Sequence, residues 1–160
     1  MSYAVIVSSK TGNTKRLADR ARVALGEKNE VEDVASADLV LVGSWTDKGG
    51  MDPALGPRLA ALSGKRVFLF GTCGFGGSQA YYDRVLDRFA AALPQDARVV
   101  GRFMCQGQMP PAVRERYVRM SAQDPARFEP MIENFDRALG HPDDGDLDAL
   151  AGALAAAGLC

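Results

Sequence analysis

Short apolar segments rich in β-branched residues alternate with helical stretches as far as residue 104, and this alternation constrains the fold more than any other feature. Strands joined by helices in this way form a parallel sheet, because each helix carries the chain back across one face of the sheet. The run Leu-Val-Leu-Val at residues 39–42 is typical of a strand covered on both faces. The five predicted strands span residues 3–7, 31–34, 39–42, 66–70 and 98–104.

No strand pattern follows residue 104, and the rest of the chain has helical periodicity. We predict a single α/β domain over residues 1–160, with a three-layer, doubly wound, five-stranded parallel sheet and extra C-terminal helices. Ligands of such sheets bind beyond the carboxyl ends of the strands. The predicted helices span residues 13–25, 53–62, 78–93, 110–120, 125–139 and 147–157.

Composition excludes several classes of function. The 19 basic and 20 acidic residues give a net charge of −1, without the basic excess of a nucleic-acid binder. Three widely spaced cysteines and one histidine form no zinc or C-x-x-C motif, so we expect no metal. No segment approaches the ~20 apolar residues of a membrane span, and no basic leader precedes the first strand. We therefore expect a cytoplasmic protein without membrane or nucleic-acid partners, and the oligomeric state stays open.

The loop after the first predicted strand has the composition of a phosphate site. Residues 8–14 (Ser-Ser-Lys-Thr-Gly-Asn-Thr) offer four hydroxyl groups and the exposed N–H groups at the start of a helix. An ordinary helix N-cap is the alternative, but a cap needs only one such residue. Neither G-x-x-x-x-G-K-[ST] nor G-x-G-x-x-G is present, which disfavours a nucleoside triphosphate or a dinucleotide. The candidate phosphate ligands are Ser9, Lys10, Thr11, Gly12, Asn13 and Thr14.

This loop resembles the [ST]-x-T-G-x-T phosphate loop of the flavodoxin family. Two further stretches, G-x-W-x-D-K-G at residues 43–49 and C-Q-G-x-M-P at residues 105–110, are similar to those of a subset of short flavodoxin-like proteins. The resemblance implies the strand order 2-1-3-4-5 and an FMN whose phosphate is held by the first loop.

Two more loops follow predicted strands at the same edge of the sheet. Trp45 is the only tryptophan and stands among glycines and polar residues, which favours stacking on a ligand over covering the edge of the core. The resemblance implies that residues 43–50 follow the ribityl chain and one ring face, and that residues 71–77 bond the pyrimidine edge. Phe75 and Tyr81 either contact the flavin or simply pack. The further candidate cofactor ligands are Ser44, Trp45, Thr46, Asp47, Gly49, Thr72, Cys73, Gly74, Phe75, Gly76, Gly77 and Tyr81.

The resemblance implies an electron carrier that exchanges electrons with transient redox partner proteins, with no catalytic residue of its own. The segment at residues 104–110 is expected either to cover the ring or to form a partner surface. Two alternatives stay open: an NAD(P)H-dependent FMN quinone reductase with the same fold, and a binding module without cofactor. A hydrolase is disfavoured because Ser78 lacks the glycine pattern of a nucleophile elbow and is better explained as a helix N-cap.

Overall fold

A five-stranded sheet forms the centre of the molecule. The structure, a computed structural model, describes residues 1–160. Four parallel strands lie in the order β1-β2-β4-β5, and the two-residue strand β3 pairs antiparallel with β2. The predicted α/β fold class is thus confirmed. The strands are β1 (Tyr3–Ser8), β2 (Leu39–Asp47), β3 (Gly50–Met51), β4 (Arg66–Cys73) and β5 (Arg98–Gln106).

The second predicted strand is reduced to a single contact with the sheet. The N–H of Val31 donates to the carbonyl of Tyr3 at 2.8 Å, and Glu30 forms one parallel bridge to Tyr3. The chain then turns into a 3₁₀ turn at Val34–Ser36, because the Asp33 carboxylate accepts from the N–H of Ala35. The chain therefore reaches the place beside β1 that the predicted strand order assigns to it, but the ladder does not continue.

Four of the six helices pack against the sheet, and the two that directly follow its last strand pack mainly on each other. The first begins and ends where the sequence predicts. The predicted helix at residues 53–62 is instead a short helix between two 3₁₀ turns, Pro53–Leu55 and Ala60–Leu62. The last begins earlier than predicted because Asp143 and Asp146 form a capping box. The helices are α1 (Asn13–Leu25), α2 (Gly56–Leu59), α3 (Gln79–Ala91), α4 (Pro111–Ser121), α5 (Pro125–Ala138) and α6 (Asp144–Ala156).

The core has two layers, one on each face of the sheet. Along β2, Val40 and Val42 point to the layer that contains Phe89 of α3. Their neighbours Leu39 and Leu41 point to the opposite layer, beneath α1 and α6. Because the four strands are parallel, the loops that follow β1, β2, β4 and β5 meet at the carboxyl edge of the sheet. None of the helices has the length and apolar content of a membrane span.

The cysteines are free thiols in two different environments. Cys73 and Cys105 are buried, whereas Cys160 is exposed. Burial raises the pKa of the Cys73 thiol to about 12 and also raises the pKa of Cys105. The thiolate is the nucleophilic form of cysteine, so the two buried groups are inert at neutral pH.

We expect two glycine substitutions to change stability in opposite directions. A Cβ at Gly71 would lie 2.7 Å from the Ser44 carbonyl oxygen and 2.9 Å from the Phe89 ring. Gly71→Ala should therefore lower the free energy of unfolding by about 1–3 kcal/mol. Gly152 lies within α6 with nothing near its Cβ position, so Gly152→Ala should raise it by about 0.5–1 kcal/mol. Urea denaturation followed by circular dichroism measures both, and an unchanged midpoint for Gly71→Ala would contradict this packing.

A thiol count tests the burial of the cysteines. At pH 8 the native protein should react rapidly with Ellman's reagent at one thiol per chain, Cys160, and in guanidinium at all three. The variant Cys160→Ser should lose the rapid reaction in the native state. A fast reaction that persists in this variant would mean that Cys73 or Cys105 is accessible.

Candidate functional site

The start of α1 leaves a row of backbone N–H groups without acceptors. Gly12 occupies the N-cap position with a φ of 91°, in the left-handed region, and has no side chain to cap the helix. The Ser9 hydroxyl accepts from the N–H of Lys15 at 3.2 Å. The N–H groups of residues 11–14 donate to no atom of the protein. Serine capping thus accounts for one N–H group, and four successive groups remain free at the positive end of a helix dipole.

Two hydrogen bonds tie this loop to its neighbours. The Thr14 and Thr72 hydroxyls lie 2.9 Å apart, and both side chains are buried. The Asn13 amide donates to the carbonyl of Gln108 at 2.9 Å. Thr14 therefore offers a ligand its N–H rather than its hydroxyl group, which connects α1 to β4.

The second predicted loop is a tight hairpin instead of an irregular segment. β2 runs on through Asp47, which pairs with Gly50 of β3. Lys48 and Gly49 form the turn, with φ values of 49° and 80°. Positive φ at both central residues matches the right-handed twist of the flanking strands. The hairpin places Thr46 and Gly49 on the wall of a cleft.

Trp45 is held in place by a carboxylate that the sequence analysis did not single out. Its indole N–H donates to Asp52 at 3.1 Å, and the Ser8 hydroxyl donates to the same carboxylate oxygen. The Ser8 hydroxyl, the N–H of Ala54, the indole and nearby Lys10 keep the pKa of Asp52 below its usual range. The Lys10 ammonium lies 4.9 Å from the centre of the indole ring. The only signal in the sequence was Asp before Pro at a helix start.

Ser44 stabilises the contact between Trp45 and Asp52 through two hydrogen bonds to their backbone. Its side chain is buried, its hydroxyl accepts from the N–H of Asp52 at 2.9 Å, and it donates to the carbonyl of Trp45 at 2.6 Å. Ser44 therefore joins the tryptophan and the carboxylate instead of lining the cleft.

Buried amide side chains fix the backbone of the third predicted loop, residues 71–77, at the end of β4. The carbonyl of Gly74 accepts from Gln106 at 2.9 Å and from Asn134 at 3.0 Å, and these two side chains bond each other at 3.0 Å. The Thr46 hydroxyl donates to the carbonyl of Thr72 at 2.9 Å. Because a trans peptide directs its C=O and N–H in opposite directions, the bonds to Gly74 also orient the N–H of Phe75, which has no acceptor in the protein.

The three loops enclose a cleft of about 510 Å³. The cleft is open to solvent, and Phe75 in its lining is 39% exposed. Seven predicted residues lie outside its lining: Ser9, Gly12, Thr14, Ser44, Asp47, Gly76 and Gly77. The predicted residues that line it are Lys10, Thr11, Asn13, Trp45, Thr46, Gly49, Thr72, Cys73, Gly74, Phe75 and Tyr81.

One wall of the cleft comes from the segment after β5 and from α4. Met109 packs so closely on Gly74 that a Cβ there would overlap its side chain. The C-Q-G-x-M-P stretch indicated the first part of this wall, but nothing in the sequence indicated that α4 completes it. Gly107, Gln108, Met109 and Pro110 belong to that stretch, whereas the lining residues that sequence reasoning did not single out are Lys48, Val113, Arg116 and Tyr117.

Comparisons with known proteins agree with this architecture. A family model described as Flavodoxin domain matches residues 4–155. The flavodoxin-like domain-containing protein BilS of Clostridium symbiosum (strain WAL-14163) is 38% identical over 175 residues, covering 93% of this chain and 92% of that protein.

Solved structures share the fold at low sequence identity. Oxidised Flavodoxin 2 from Bacillus cereus is 16% identical with a TM-score of 0.55, over 99% of this chain and 98% of its own. A flavoprotein from Lactobacillus acidophilus NCFM in complex with FMN is 15% identical with a TM-score of 0.50, over 64% of this chain and 92% of its own. The family model spans almost the whole sequence, and the similarity to the Clostridium protein extends over nearly the full length of both. The chain therefore belongs to the flavodoxin family.

Proposed function

We propose that this protein binds FMN with its phosphate at the start of α1 and carries electrons between redox proteins. Four successive N–H groups without acceptors, at residues 11–14, are the observation that carries the proposal. A bound FMN supplies the redox chemistry, while the protein binds and orients it.

Backbone donors suit a phosphate monoester at this position. A phosphate has oxygens enough to accept from several N–H groups at once, and the helix dipole favours its negative charge. Gly12 has open space around its Cβ position, so the ligand can approach the backbone closely. Thr11 adds a hydroxyl group on the cleft wall. Lys10 lies over the Trp45 ring, so we expect the backbone to be the main phosphate ligand.

The rest of the cleft fits a flat, partly apolar ring. Trp45, Phe75 and Tyr81 supply aromatic surface. The N–H of Phe75, oriented through the carbonyl of Gly74, is free to donate to a ring oxygen or nitrogen. Burial keeps the Cys73 thiol protonated, since its pKa is about 12, so that side chain provides packing and not nucleophilic chemistry. The FMN complex of the Lactobacillus flavoprotein, which shares this fold, also supports FMN as the ligand.

The chemistry of the cleft favours an electron carrier over a quinone reductase. Enzymes that reduce a quinone to a hydroquinone commonly supply a proton from a side chain that titrates near neutral pH. The lining contains no histidine and no carboxylate, and burial raises the pKa of Tyr81 above its usual value. Single electrons pass between proteins without such a group.

We expect FMN to bind about 100-fold more tightly than riboflavin, which lacks the phosphate; this ratio corresponds to about 2.7 kcal/mol. Thr11→Val removes one hydroxyl group but keeps every N–H. It should weaken FMN binding about tenfold and leave riboflavin binding unchanged. Quenching of emission from Trp45, the only tryptophan, measures both affinities.

Ser121→Ala is the control and should leave both affinities unchanged. The Ser121 hydroxyl lies at the end of α4 and bonds only to the carbonyl of Val118. Equal affinity for FMN and riboflavin would refute the phosphate site. Rapid NADH or NADPH oxidation by the FMN-loaded protein in the presence of menadione would favour the reductase instead of the carrier.

A further inference from the structure

We propose that the cleft mouth is a docking surface for an acidic redox protein. This proposal rests on the proposed function and identifies the chemistry of the electron-transfer partner. The surface is a set of five exposed cations around the cleft, which we call the basic rim: Lys10, Lys48, Arg84, Arg88 and Arg116.

The basic rim gathers cations from separate parts of the chain. Lys10, Lys48 and Arg116 line the cleft itself. The Arg84 guanidinium lies 5.8 Å from the ring centre of Tyr81, another lining residue. The Arg88 guanidinium packs on the hairpin turn, where a Cβ at Gly49 would overlap it.

The basic and acidic side chains of helix α3 lie on different faces of the helix. Tyr81, Arg84 and Arg88 follow one another at helical spacing, so they share the face beside the cleft. Asp83 and Asp87 form a separate stripe that pairs with Arg102 of β5, at 3.6 and 2.6 Å. The two acidic residues of this helix thus form ion pairs away from the rim, and its two arginines, Arg84 and Arg88, have no ion-pair partner.

No cation of the basic rim forms an ion pair within 4 Å, although arginines elsewhere do, such as Arg114 with Asp136. Lys10 acts electrostatically on the Asp52 carboxylate, which already accepts from the Trp45 indole and the Ser8 hydroxyl. Asp47, next to Lys48, is partly buried, and Glu115, next to Arg116, is exposed but forms no ion pair with it. With a net charge of −1 for the whole chain, the positive charge at the mouth is local.

The cleft that the basic rim surrounds also presents an exposed apolar side chain. Phe75 lines the cleft and is 39% exposed. An apolar centre with a polar rim is the usual anatomy of a protein–protein interface, and electron-transfer encounters are small ones. Fixed positive charge around such a patch attracts a partner whose own patch is negative and accelerates their encounter.

Cytochrome c in two charge forms provides the test. Native cytochrome c is basic, whereas succinylation of its lysines makes it acidic and retains the haem. The FMN-loaded protein is reduced with dithionite, freed of excess reductant and mixed anaerobically with either ferric form. One two-electron-reduced flavin reduces two ferric haems by one electron each and releases its protons to water. At low ionic strength the second-order rate constant should be at least about tenfold higher with the succinylated form, and the difference should shrink as salt is added.

Two charge-reversal variants test whether the effect depends on where the charges lie or only on the net charge. The double variant R84E/R88E alters two rim residues that lie outside the cleft lining. The double variant R66E/R98E makes the same change in net charge at the amino ends of β4 and β5, where these arginines form no ion pair. We expect the first to lower the rate with succinylated cytochrome c about tenfold and the second to leave it close to the parent value.

FMN content, read from flavin absorbance, separates the two possible failures. A parent protein that does not bind FMN overturns the proposed function, and this proposal with it. A parent that binds FMN but reduces both cytochromes at equal rates overturns only the docking surface. The same follows if both double variants bind FMN and lose the same amount of rate.

Discussion

Everything at the carboxyl edge of the sheet depends on the way α1 begins. A helix start normally has its first N–H groups satisfied by a side chain, by water or by a ligand. Here Gly12 stands at the cap position, and Ser9 satisfies only the N–H of Lys15. The remaining donors form a concentrated patch of positive partial charge. The other loops of the cleft meet beside this patch because their strands are parallel and end at the same edge.

Side-chain hydrogen bonds keep these loops in one arrangement. The Thr14–Thr72 pair connects α1 to β4, Asp52 fixes the tryptophan, and the Gln106–Asn134 pair fixes the carbonyl of Gly74. Asn134 belongs to α5, so the C-terminal helices contribute directly to the shape of the cleft. Pre-organisation of this kind lowers the entropy that a ligand must remove when it binds.

The sequence was sufficient for the fold and for much of the cleft, because periodicity and loop chemistry are local properties. The strands at residues 39–42 and 66–70 and helix α1 needed no tertiary information. The second predicted strand did not form as a ladder, because the strand preference of Val31 and Val34 competes with the capping preference of Asp33. Arg116 could not be predicted to line the cleft, since its place depends on how α4 packs after β5. Asp52 was overlooked because its role needs Ser8 and Trp45 close in space.

Amide NMR spectroscopy is the sharpest test of the phosphate site at the start of α1, because it observes the proposed donors one by one. A ¹⁵N-labelled sample is compared free, with riboflavin and with FMN. We expect the difference between the two ligands to be concentrated in the N–H signals of Thr11, Gly12, Asn13 and Thr14, which move downfield as they bond to phosphate oxygens. If FMN binds and these four signals match those of the riboflavin complex, the phosphate lies elsewhere and the start of α1 is not its site.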